Sequence, residues 1–159
     1  MKTIIYKTPE IDFYTYLNDW LPFVCEDPSK YNFALTEVET NCEQYLLDEW
    51  KVQKKTIEYW IPGTELERLS KKTKIQFIWA VFSAIPKKYS IEDLSVDNNF
   101  YIDGNSNICE DVNTKYIDES IFEIIAFDSS FFIIQSDDNE IHNRFKEKYE
   151  NAKDIKEIV

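Results

Sequence analysis

The stretch SIFEIIAFDSSFFIIQSDDNEIHNRFKEKYENAKDI, residues 120–155, decides how the chain is read. Its first half holds two apolar runs, FEIIAF and FFIIQS, separated by Asp128-Ser129-Ser130. β-Branched and aromatic residues on both sides of a short polar tract predict two strands folded back on one another. Asp and Ser suit such a turn because their side chains hydrogen-bond the nearby backbone. Ser136 or Asp137 is then expected to cap a helix, with Glu140 as the acid of a capping box. Ile141, Phe145 and Tyr149 recur every four residues, so one face of that helix is apolar and packs on the strands.

Working outward, IQFIWAVFSAIP (75–86) is the longest apolar run and reads as a central strand buried on both faces. KTIIY (2–6), YNFALTEVET (31–40) and KKTIEYWIPG (54–63) read as further strands, the last broken by Pro62-Gly63. Ile11, Tyr14, Leu17 and Leu21 stand at helical spacing, with Pro22 expected to close that helix. A second helix is expected over 64–73, with Thr64 as N-cap, Glu67 at N3 and lysines at its C-terminal end. SIEDL (90–94) suits one helical turn, and CEQYLLDEW (42–50) stays open between a helical turn and a loop. Residues 95–119 read as loop-rich, with a short strand at FYI (100–102). The pattern is that of a single α+β domain over 1–159, a mainly antiparallel sheet with helices on one face.

Composition excludes several functions. Two glycines, Gly63 and Gly104, cannot build a glycine-rich phosphate loop, which needs positive φ and close backbone approach at several positions. The net charge of −12 is unevenly spread: −7 over 1–50, +6 over 51–88, −12 over 89–140 and +1 over 141–159. Direct binding to nucleic acid is not expected, because that affinity comes from basic side chains displacing counterions. An acidic surface instead attracts a basic protein and speeds its encounter. Cys25, Cys42 and Cys109 are scattered with no CxxC pair, which suits reduced thiols in a cytoplasmic protein. The N-terminal apolar stretch is too short for a signal peptide, and no run is long enough to span a membrane.

Candidate chemistry is sparse. Ser130 and the single histidine, His142, are the parts of a serine nucleophile and base, but no Gly-x-Ser-x-Gly elbow accompanies them. The segment from Asn99 to Glu110 places Asn99, Asp103, Gly104 and Glu110 at positions 1, 5, 6 and 12 of a calcium loop. Tyr101 at position 3 cannot supply the required carboxylate, so no metal or other cofactor is expected. Adjacent carboxylates such as Glu110/Asp111 and Asp118/Glu119 offer material for a hydrolase only if a cleft brings acids together.

FIWAVFSAIP (77–86) and FEIIAFDSSFFIIQSDDNEIHNRF (122–145) resemble the central strand and C-terminal hairpin-helix of small acidic bacterial immunity proteins. That group neutralises polymorphic toxins, including those of contact-dependent growth inhibition. The resemblance implies a cytoplasmic, non-enzymatic inhibitor of a toxin's C-terminal domain, often a nuclease in that group, bound by stoichiometric protein–protein contact. On that reading the acids Asp97, Asp103, Glu110, Asp111, Asp118 and Glu119 are expected to meet basic residues of the partner. Tyr101 and Tyr116 are the expected anchors among them. The alternatives are a small hydrolase using clustered carboxylates or Ser130/His142, and a phage or regulatory protein that mimics nucleic acid.

Overall fold

The computed structural model describes residues 1–6, 15–105, 107–110 and 115–158. Its strands are β1 (Lys2–Tyr6), β2 (Tyr31–Thr40), β3 (Lys51–Lys54), β4 (Ile57–Pro62), β5 (Phe77–Pro86), β6 (Phe122–Phe127), β7 (Phe131–Ser136) and β8 (Lys153–Asp154). Its helices are α1 (Leu17–Val24), α2 (Gly63–Lys72), the four-residue α3 (Asn107–Glu110) and α4 (Asn139–Lys148). The strands form one antiparallel sheet in the order β3-β4-β2-β5-β6-β7-β1-β8. The protein is therefore α+β, with the hairpin β6–β7 leading into α4.

The sheet buries both faces, by different means. On one face α1, α2 and α4 pack Trp20, Leu21, Leu66, Leu69, Ile141 and Phe145 against Phe33, Phe82, Ile124 and Phe132 of the strands. Edge contacts fix this packing, with Trp20 4.9 Å from Phe82 and Phe145 5.3 Å from Phe132. On the other face no long helix lies among the described residues; Leu94, Ile102, Ile108, Tyr116 and Ile117, from the stretch between β5 and β6, lie over Val81, Ile85, Ile125 and Ile133. β5 runs between the two layers, as its long apolar sequence, interrupted by Ser83, requires.

Several local expectations change. Ile11 and Tyr14 lie outside the described residues; α1 starts at Leu17, and Pro22 stands inside it rather than closing it. α2 begins at Gly63 with Pro62 as its cap residue, and Thr64 caps nothing. A Cβ on Gly63 would stand 1.9 Å from the Pro28 carbonyl oxygen, so only glycine lets the helix start against that backbone. Asp138, not Ser136 or Asp137, caps α4, its Oδ1 accepting from Glu140 N at 2.9 Å. Ser136 acts one step earlier, its Oγ accepting from Asp138 N and donating to the Ile121 carbonyl. The run 54–63 divides into β4 and the end of β3, joined by a turn at Lys55, whose φ is +55°. FYI forms no strand; a single antiparallel bridge joins Val96 to Ile117 instead.

Candidate binding groove

The groove arises from an irregularity in β2. Thr36 pairs with Val81 and Glu39 with Trp79, so β2 carries one more residue than β5 across that interval. Glu37 takes a φ of +51° to accommodate it. Such a bulge breaks the alternation of side chains. Phe33 and Leu35 face the helices, whereas Glu37 reaches the covering segment, its Oε2 accepting from Ile102 N at 2.9 Å.

Glu37, Glu39, Glu58 and Asp103 line a groove of about 340 Å³ together with Val38 and Trp79. Glu58 Oε1 accepts from Val38 N at 3.0 Å, which ties β4 to the bulge. Among the described residues, none of these four carboxylates pairs with a lysine or arginine. The nearest stretch of basic sequence is engaged elsewhere, Lys54 with Glu92 and Lys55 with the Leu94 carbonyl. Burial pushes the Glu37 carboxyl above its ordinary range, and the charges of Glu58 and Asp103 push the same way against the Ile102 N–H. Trp79 adds an aromatic wall and begins a row of half-buried rings. Its ring lies 4.7 Å from Phe127, which stacks on Phe131 at 4.5 Å. Carboxylates beside an indole face can hold a guanidinium or ammonium by charge and by cation–π attraction together.

The residues expected from sequence are scattered around this groove. Asp103 lines it, and Tyr101 stands two residues away with 54% of its surface exposed. Asp97 accepts from Asn99 N in a local turn, Glu119 accepts from Ser95 N, and Glu110 and Asp118 are exposed. Asp111 lies outside the described residues. Tyr116 is no surface anchor: it is 1% exposed, its hydroxyl bonds Thr56 Oγ1, and its ring packs 4.8 Å from Phe100. Ile117 beside it is buried as well, because the covering segment must bring apolar side chains to the sheet.

Ser130 and His142 are not brought together. Ser130 sits in the turn at one end of β7, where Asp128 and Ser129 both have positive φ and Ser130 Oγ donates to the Asp128 carbonyl. His142 is buried near the other end, its Nε2 on the Ser136 carbonyl at 3.1 Å and its Nδ1 on Thr3 Oγ1 at 2.8 Å. A carbonyl only accepts, so Nε2 carries the proton and Nδ1 accepts from the threonine hydroxyl. A strand of this length separates the two sites by about 20 Å. From Asn99 to Glu110 the chain turns at Gly104 (φ +72°) and then forms α3, with Ile108 buried. Among the described residues no three histidine, cysteine or acidic side chains are placed to hold a metal.

Two features escaped the reading of sequence. Glu37, Glu39 and Glu58 belong to the groove through a bulge that the alternating TEVET conceals. Glu123 is fully buried and accepts from Ser83 Oγ, Ser120 Oγ, Tyr116 N and Ile117 N. Its signal was visible as the single acid within FEIIAF. Compared with protein-family models, with curated proteins and with solved structures, the chain matches none.

Proposed function

We propose that the chain is an acidic inhibitor of the immunity type, which neutralises a toxin domain by binding its basic surface at this groove. The observation that carries the reading is that four carboxylates share one groove with an indole, and no described cation of the chain answers them. A partner's arginine or lysine supplies the missing charge, and the half-buried row from Trp79 to Phe131 supplies apolar contact beside it. The surrounding charge of −12 over residues 89–140 steers a basic partner toward the site. The immunity identity itself rests on the resemblance of residues 77–86 and 122–145.

The test is titration of this protein into the C-terminal domain encoded by the adjoining upstream gene, at low and at physiological salt. Glu39 and Asp103 are exposed and serve no fold contact given above, so Glu39→Lys and Asp103→Lys leave the sheet intact. Each is expected to weaken binding about tenfold or more, mainly at low salt, and to abolish protection in a co-expression growth assay. Failure of that domain to bind, or binding indifferent to both reversals, overturns the proposal.

A further inference from the structure

A row of side chains near the turn end of the hairpin crosses four strands and changes character along its length. Glu39 of β2 pairs with Trp79 of β5. Ala80 pairs with Ala126, which sets Trp79 beside Phe127 of β6, and Phe127 pairs with Phe131 of β7. Two residues further along the strands, the equivalent row is Thr36, Val81, Ile125 and Ile133, each 0% exposed. The covering residues of this sheet face pack on that inner row. In the outer row Glu39 is exposed and the three rings stay half-buried.

Adjoining rings left partly open form an apolar strip of the kind that marks an interaction surface. The strip meets the acidic groove at Trp79, which belongs to both. Four carboxylates therefore stand at its Trp79 end, while Phe127 and Phe131 stack at an interplanar angle of 12° beyond it. Size narrows the occupant further. Neighbouring strands lie about 4.8 Å apart, so the row from Glu39 to Phe131 is about 14 Å long. One open row beside the covering residues suits an extended chain, whereas a helix about 10 Å across would rest partly on the cover. Side chains on one face of an extended chain recur about every 7 Å, so three of them span the row.

We propose that this row docks an extended segment of the partner protein that crosses the strands, with an arginine in the groove against Trp79 and apolar side chains over Phe127 and Phe131 at two-residue intervals. The proposal deepens the immunity reading and rests on it for the partner's identity. Arginine suits the groove better than lysine, because a planar guanidinium stacks on an indole while its edge reaches carboxylates. Glu58 Oε1 and Glu37 Oε2 already accept from Val38 N and Ile102 N, and the second oxygen of each is left for that edge.

The probe is a blocked pentapeptide, acetyl-Arg-Ser-Leu-Ser-Leu-amide, titrated to millimolar concentration into isotope-labelled full-length protein. It is expected to shift the Trp79 indole N–H and the backbone amides of residues 127–131. Lysine in place of its arginine should weaken binding about threefold, and serine in place of both leucines about tenfold or more. Phe131→Ser should remove most of the leucine advantage and keep the arginine preference. A thermal melt shows whether that variant is folded, and the three peptides on the native protein decide the matter without it. Absent shifts, shifts centred on other residues, or equal affinity within either peptide pair each overturn the proposal. The adjoining-gene toxin domain separates this from the immunity reading. If it binds and leaves Trp79 and residues 127–131 unmoved, the docking mode fails alone; if the peptides behave as stated and the domain does not bind, the immunity reading fails alone.

Discussion

His142 is the residue whose chemistry changes most between sequence and structure. As the single histidine near a serine pair it suggested a catalytic base; in the fold both ring nitrogens are occupied by Thr3 and the Ser136 carbonyl. Burial depresses its pKa below the ordinary value. The native state therefore binds fewer protons than the unfolded chain below about pH 6.5, and stability falls as pH drops through that value. A histidine joining α4 to β1 should make the thermal midpoint decline between about pH 7.5 and pH 5.5. In His142→Gln the midpoint at neutral pH should be lower and the decline shallower. Equal slopes in the two proteins would assign the effect to other groups. The ring's existence was legible in the sequence, but its partners depend on a strand more than a hundred residues away.

At the scale of elements, the apolar runs were the readable part. β5, the hairpin β6–β7 and α4 each carry a period or run that only one element satisfies, and each appears where that pattern placed it. What was not readable lies where chain length or tertiary contact overrides the pattern. β8 has two residues, too few to show a period, and the positive φ at Glu37 leaves no trace in TEVET. The covering segment 94–117 is the clearest case. Its polar, acidic sequence reads as solvent-facing loop, yet Leu94, Ile102, Ile108, Tyr116 and Ile117 within it are buried against one face of the sheet. Lacking a ladder of its own, it is fastened by side chains: Glu123 takes Tyr116 N and Ile117 N, Glu37 takes Ile102 N, and buried Lys2 donates to the Ile108 carbonyl. Burial raises the Glu123 pKa, and the four donors around it oppose that rise. Glu123→Gln turns one acceptor oxygen into an amide that faces a donor. Denaturant unfolding should show a loss of about 2–3 kcal/mol. Hydrogen exchange should quicken at Tyr116 and Ile117 before it does in β6. Unchanged protection there would mean that Glu123 does not hold the cover.

For the molecule as a whole, strand order departs from chain order. β1 lies between β7 and β8, so the first and last strands close the same side of the sheet. β8 covers β1 only at Thr3 and Ile4, while Ile155 just after it is 2% exposed under the covering segment's layer. Removing residues 153–159 should cost about 2–3 kcal/mol, chiefly from the lost burial of Ile155. It should also leave β1 as an open edge that associates as concentration rises, visible by size-exclusion chromatography. A truncated protein as stable and as monomeric as the full chain would contradict this account. The other edge needs no such cover, because β3 is short and carries Lys51 and Lys54. The bulge in β2 has a consequence at this scale too. A second irregularity between Glu39 and Thr40, where β5 carries the extra residue, restores the register, so the break in alternation is confined to the few residues around Glu37 and Glu39. The acidity of that face is thus a matter of where two neighbouring strands fall out of step and back again, as much as of which residues they carry.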